Sequence, residues 1–178
     1  MTHTQFIQAD IQIHNAELLK LNIEYIAWVW GEFESYFHIH PKEIVGMSAE
    51  DSARLGMVKV CDQKPPEGVF YIVKFQGQLA GMGGLRGLGS KLADIKRIYV
   101  RSNMRGFRLG EQILSRLLDD ARSYGYDSVY LDTAPYMKAA HHLYEKFGFV
   151  DRQPYKETEA PIEFHDRWRF MEKSLLPH

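Results

Sequence analysis

From Asn15 onward, apolar residues recur at steps of four and three: Leu19, Ile23, Ile26, Trp30, Phe33 and Phe37. That spacing returns to one side of a 3.6-residue turn, so it predicts a long helix with those residues on its buried face. Tyr25, Trp28, Val29 and Tyr36 widen the stripe, so the helix is expected to be well covered. Gly31 is a weak point where the helix would bend, and Pro41 limits how far it runs. Ahead of it, Thr4 to Gln12 partly alternates apolar and polar residues, as an edge strand would. Ser48-Ala49-Glu50-Asp51 puts a hydroxyl cap before acids in a first turn, which predicts a second helix to near Val60. Pro65-Pro66-Glu67-Gly68 then breaks the chain.

Beyond that break the period shortens. Val69 to Phe75 is rich in β-formers, Gln76-Gly77 signals a turn, and Leu79 to Leu88 reads as a glycine-interrupted strand. Ala93 to Arg101 supplies a third strand carrying Ile95, Ile98 and Val100. Leu109, Ile113, Leu114, Leu117, Leu118 and Ala121 return to helical spacing, with a stop near Gly125. Val129 to Thr133 is a short buried strand, Met137 to Phe147 a helix stopped by Gly148, and Arg167 to Leu175 a last strand. No repeat or linker interrupts this order, which predicts one α/β domain over 1–178 with helices on both faces of a sheet.

Composition narrows the class. A length of 178 residues suits one domain, and 45% hydrophobic residues can fill a sizeable core. A net charge of -1 gives no global attraction to nucleic acid or to a membrane surface. Cys61 is the only cysteine, so no intramolecular disulfide forms, which suits a reducing compartment. Met1-Thr2-His3-Thr4-Gln5 lacks the basic start of a signal peptide, and no run reaches the ~18 apolar residues of a membrane helix. The expectation is a soluble, cytoplasmic protein.

Charge becomes informative locally. Lys96, Arg97, Arg101, Arg105 and Arg108 fall in one segment, and no acid follows until Glu111. The segment runs from a strand into a helix start, whose free N–H groups and partial positive charge can hold an anion. Gly106 and Gly110 would let main chain approach such a ligand closely. Two readings stay open on these residues alone: a site for a phosphorylated ligand, or an ordinary strand–turn–helix with solvated arginines. No Gly-Lys-Ser/Thr follows, which disfavours a nucleotide P-loop, and the glycine spacing misses the dinucleotide fingerprint.

Three pieces together resemble the GNAT superfamily of N-acetyltransferases: Asp94-Ile95-Lys96-Arg97-Ile98-Tyr99-Val100, the Arg105-Gly106-Phe107-Arg108-Leu109-Gly110 turn, and Leu143-Tyr144-Glu145-Lys146-Phe147-Gly148-Phe149. The resemblance is close from Val69 to Val150 and looser elsewhere. It implies a mixed, mostly antiparallel central sheet of about six to seven strands with helices on both faces. It also implies acetyl-CoA as acetyl donor, no metal, and a pyrophosphate cradle made by Arg105, Gly106, Phe107, Arg108, Leu109 and Gly110. Ile98, Tyr99 and Val100 would pair their backbone with the pantetheine arm, in a gap where this strand splays from the one holding Val129 to Thr133. Arg108 stands where the family's middle glycine is expected, so its main-chain contacts require a tolerant loop, satisfied if φ stays negative. Met137 aligns with a frequent family asparagine and is carried over as a cofactor position.

Direct transfer to an amine needs two proton handlers. An alkyl ammonium, with a pKa of about 10.4 like lysine, must lose a proton before it can attack, and a departing thiolate, near 8.5 like cysteine, gains from a donor. The resemblance places Tyr144 as the acid; on composition alone it is a packing aromatic beside Ala140, Leu143 and Phe147. It places Asp94 as the base, directly or through water; the alternative is a strand-end carboxylate paired with Lys96 or Arg97. His141 and His142 are adjacent on a helix and do not chelate, with one or both facing solvent. His38, His40 and His165 lack the thiols or clustered carboxylates of a metal site. Two rivals remain: a silent acyl-CoA-binding module and a metal-dependent hydrolase built on the histidines. The amine acceptor, a small molecule or a protein amine, would be set by the Leu19–Phe37 helix and the segment around Thr158 to Asp166. Glu24, Glu32, Glu34 and Glu43 would draw a cationic amine or simply face solvent, and exposed helix aromatics would permit a homodimer.

Overall fold

A computed structural model describes residues 3–177; Met1 and Thr2, where the reading of the N-terminus begins, and His178 lie outside the described residues. The strands are β1 (Thr4–Gln8), β2 (Gly68–Phe75), β3 (Gln78–Gly89), β4 (Leu92–Val100), β5 (Ser128–Thr133), β6 (Val150–Arg152) and β7 (Arg169–Ser174). The helices are α1 (Asn15–Phe37), α2 (Pro41–Val45), α3 (Ala49–Cys61), α4 (Leu109–Ser123) and α5 (Lys138–Lys146). The strands form one seven-stranded sheet in the order β1-β2-β3-β4-β5-β7-β6, in which only β4 and β5 run parallel. β1 is an edge, as its alternation predicts.

Helices cover both faces because the central strands are apolar on both sides. On β2, Val69, Tyr71 and Val73 join Ile113, Leu114 and Leu117 of α4 on one face. Phe70 and Ile72 join Leu18 and Leu21 of α1 and Met57 and Val60 of α3 on the other. Each such leucine or isoleucine contributes about 1.5–3 kcal/mol by leaving water. The buried side of α4 is the predicted one, Leu109, Ile113, Leu114, Leu117, Leu118 and Ala121.

α1 differs from its prediction. Its buried residues are Leu18, Leu21, Asn22 and Phe33, so the covered side lies about one position round from the predicted stripe over its first half. The helix is apolar on most of its circumference, and packing against the sheet and α3 decides which side is buried. Pro41 ends the approach from α1 and opens α2, where His40 accepts a hydrogen bond from Lys42 N at 3.1 Å. Ser48 caps α3 through Asp51 N at 3.0 Å, as predicted. Among the described residues no helix is long and apolar enough to cross a membrane.

Candidate active site

β4 and β5 pair only at Leu92↔Ser128, Ala93↔Val129 and Asp94↔Tyr130. Past Asp94, β4 stays with β3 alone and leaves β5. A bulge lies just beyond the departure: Lys96 faces Gly84 and Tyr99 faces Met82, so Arg97 and Ile98 together oppose Gly83. Such a bulge bends its strand and increases local twist. The resulting gap opens into two adjoining cavities, of about 230 Å³ and 330 Å³, which share Trp28, Ile98, Met137 and Ala140 as walls.

The larger cavity is lined by Ile98, Tyr99, Val100, Arg105 and Met137, and Arg105 is the first residue of the turn that leads into α4. Gly106 sits at φ +90°, a conformation suited to glycine. Arg108 has φ +56° and ψ +26°, so the condition of a negative φ is not met. The arginine occupies the left-handed region that glycine would favour, at a cost of about 1–2 kcal/mol. It makes no side-chain hydrogen bond at the helix start, and the first-turn N–H groups of α4 are left uncapped by it. Leu109 plugs into Phe75, Ala80 and Met104, while Phe107 stays half exposed with its ring 4.8 Å from that of Phe75. Gly110 has room: a methyl there would touch only Leu143 Cδ2, at 3.6 Å.

Of the five basic residues in this segment, three are engaged elsewhere. Lys96 bonds Asp132 at 2.8 Å and Asp94 at 3.2 Å. Arg101, the residue after β4, makes a two-pronged bond to Glu24, 2.9 Å on each arm, tying the end of that strand to α1. Arg97 turns into the seam between α1 and α3. Arg105 and Arg108 remain exposed by the turn, and the Arg105 guanidinium lies 5.3 Å from the Trp28 ring. The charge available to an anion is therefore two arginines plus a helix start.

The smaller cavity is lined by several titratable side chains. Tyr144, on α5, lines it and is 8% exposed. Burial, and after it Tyr25 and Asp132, push its hydroxyl well above the ordinary tyrosine range, so it stays protonated. Asp94 does not line it. Its carboxylate is wholly buried, held by Arg86 at 3.1 and 2.8 Å and by Lys96 at 3.2 Å. Asp132 and Glu159 are the carboxylates on the cavity wall. Burial works to raise Asp132, but the Lys96 ammonium and hydrogen bonds from Lys96 and Tyr155 hold it below the usual carboxylate range. Lys96 answers in kind: burial lowers it, and Asp132 and Asp94 raise it further, so it stays charged. Glu159 is more loosely held, 3.4 Å from Lys59 and 3.7 Å from Arg86. The sequence reading missed Asp132 and Glu159; the only signal was Glu159's place inside the segment expected to face the acceptor.

That segment and α1 do meet. Phe164 packs on Phe33 and Phe37, with ring centroids 5.2 and 4.7 Å apart, and Trp168, Ala160 and Glu159 close the cavity opposite Tyr25 and Trp28. The histidines are engaged locally: His141 is buried and donates Nε2–H to Ala134 O at 3.0 Å, His142 is exposed, and His165 donates to Ala160 O at 2.9 Å. Burial holds His141 below its ordinary pKa, so it is neutral. Among the described residues no three His, Cys, Asp or Glu side chains are grouped to hold a metal.

The chain is 37% identical over 65 residues to an uncharacterized N-acetyltransferase of Dictyostelium discoideum, which covers 36% of this chain and 30% of that one. It is 30% identical over 99 residues to one of Schizosaccharomyces pombe, covering 54% of this chain and 61% of that one. It thus spans less than two thirds of either relative. Its fold matches that of the PaiA N-acetyltransferase of Thermoplasma acidophilum, solved in complex with coenzyme A, with a TM-score of 0.68 and 16% identity over 97% of this chain and 99% of that one. Residues 23–149 match the model of the acetyltransferase (GNAT) family. With that match across the gap, the turn and the Tyr144 helix, the chain belongs to the GNAT family of acetyltransferases.

Proposed function

We propose that the protein transfers the acetyl group of acetyl-CoA directly to a primary amine held in the smaller cavity. One observation carries this reading: of the two adjoining cavities in the gap between β4 and β5, one holds the buried Tyr144 and the other is lined by Arg105, the first residue of the turn that leads into an uncapped helix start. In this reading Arg105 to Gly110 cradle the pyrophosphate, with main-chain N–H groups as donors and Arg105 and Arg108 as counter-charges. The unpaired side of Ile98, Tyr99 and Val100 receives the pantetheine arm, and Met137 packs beside it.

The amine nitrogen, once neutral, attacks the thioester carbonyl carbon; the C–N bond forms and the C–S bond breaks. The ammonium gives its first proton to solvent before attack, and the second leaves the nitrogen as the C–N bond forms, passing through water to Glu159 and on to solvent. Glu159 is the loosely held carboxylate on the wall, whereas the oxygens of Asp94 are occupied by Arg86 and Lys96. Tyr144 gives its proton to the departing sulfur and regains one from solvent. The products are an amide and CoA with a free thiol. Asp94 and Asp132 hold Lys96 beneath the cavity and fix its floor. Thiol release from acetyl-CoA across a panel of small amines and lysine peptides tests this: at least one amine should accelerate release and gain an acetyl mass. Tight CoA binding with no amine-dependent release would instead mark a silent binding module.

A further inference from the structure

Arg97 sits at φ +53° within β4, a left-handed conformation that a β-bulge ordinarily assigns to glycine. A side chain there is strained, so something must hold it. Its guanidinium bonds the Oδ1 of Asn22, a residue with no exposure in the middle of α1. Asn22 is itself fixed, donating Nδ2–H to Leu18 O at 2.7 Å, with Cys61 Sγ at 3.5 Å. The guanidinium also lies 5.8 Å from the Tyr25 ring. On the α3 side it fills the space where a Cβ on Gly56 would stand. Glycine in the interior of a 13-residue helix weakens that helix, so its place there calls for a reason. Arg97 supplies one.

We propose that Arg97 is a positioning residue: its guanidinium, latched to Asn22 in the notch left by Gly56, holds the kink that turns β4 away from β5. The latch therefore sets the width of the gap, and its bearing on acetyl-CoA rests on the function proposed above. The three parts come from three elements, α1, α3 and β4, and converge on one backbone dihedral. Neighbouring Lys96 makes a contrast, since its ammonium balances two aspartates and leaves the backbone unstrained.

The ranking of substitutions separates a latch from plain packing. Glycine at 97 loses the guanidinium but adopts the left-handed conformation freely; alanine loses the guanidinium and keeps the strain. A latch predicts that Arg97→Ala damages the kink more than Arg97→Gly. Plain packing predicts the reverse, since glycine leaves the larger void and the looser chain. The readout is amide hydrogen exchange of Lys96 to Tyr99 in the ligand-free protein, with thermal unfolding alongside. Exchange should quicken about tenfold in Arg97→Ala, a factor matching the strain released, and distinctly less in Arg97→Gly. Gly56→Ala displaces the guanidinium from outside β4 and should quicken the same amides even as helix propensity favours alanine. Equal exchange in the two Arg97 variants, faster exchange in Arg97→Gly, or an unchanged β4 in Gly56→Ala overturns the latch. CoA affinity, measured on the same variants, should follow the exchange ranking. If wild-type protein binds no CoA, the functional reading fails while the exchange ranking still decides the latch.

Discussion

At one end of the site proposed here the groups offered to a ligand are main chain: the helix start at Leu109 and Gly110, the turn at Gly106, and the unpaired side of Ile98 to Val100. At the other end they are side chains: Tyr144, Asp132, Glu159 and, beneath them, Lys96 and Asp94. The two ends should therefore respond to mutation in opposite ways. A backbone cradle depends on shape and dihedral angles, and keeps its donors when most side chains change. A side-chain cluster of opposed charges depends on each member, because a buried ion that loses its partner is stranded.

The largest effect is expected from Lys96→Met, which removes the ammonium from between two buried aspartates. Urea unfolding should show a loss of about 3–5 kcal/mol. Its pH dependence should also change sign. In the wild type, Lys96 holds Asp132 below its unfolded value, so that carboxylate contributes stability above the ordinary carboxylate range and loses it as pH falls through the folded value. Without Lys96, burial prevails and raises Asp132, so part of the loss should be regained on going from about pH 7 to about pH 5. A loss that deepens over that interval would show that the cluster is not governed by Lys96.

Next comes Gly110→Val, at the other end. A methyl at 110 meets only Leu143 at 3.6 Å, so Gly110→Ala should leave folding and CoA affinity nearly as they are. The branched side chain should weaken CoA binding about tenfold, equal to about 1.4 kcal/mol by calorimetry, by obstructing approach to the helix start. If valine binds CoA as well as glycine does, the phosphates do not sit at this turn. The smallest effect is expected from Arg108→Gly. It relieves the positive φ and should raise stability by up to about 1 kcal/mol, with CoA affinity falling only by the share of one exposed counter-charge. A large loss of affinity would mean that the guanidinium, and not the backbone, does the binding.

This division also marks what could be read from the sequence. Periodicity located α1 and α4, which keep one steady repeat over several turns, while the Ser48 cap marked α3, β-forming runs between turn signals marked the long strands, and Gly148 marked the end of α5. α2, with five residues, and β6, with three, are too short to show a repeat. The turn at Arg105–Gly110 stood out in the sequence because the anion site proposed there would need glycines and a helix start close together in the chain. Of the titratable side chains proposed for the chemistry, the sequence singled out only Tyr144 among those on the cavity wall. Asp132 reaches Lys96 across 36 positions, and Tyr155 reaches Asp132 across 23. Pairings so distant leave no local spacing to detect. Asp94 shows both sides of the limit: its pairing with Lys96, two residues along β4, was among the readings open in the sequence, whereas its enclosure by Arg86 depends on how β3 and β4 align. Arg97 and Arg108, both at positive φ, are invisible to a pattern that counts residue types.

The most direct test of the account compares Tyr144→Phe with wild type for turnover and for CoA dissociation, once an accepting amine is in hand. The substitution deletes one oxygen and keeps the ring that packs against Phe149, 5.8 Å between centroids. Because the hydroxyl is assigned to the departing sulfur and to no part of CoA binding, kcat should fall about 10²-fold, while the CoA dissociation constant stays within about twofold. An unchanged kcat, or a loss appearing only in CoA affinity, would contradict the assignment of the chemistry to this end of the gap.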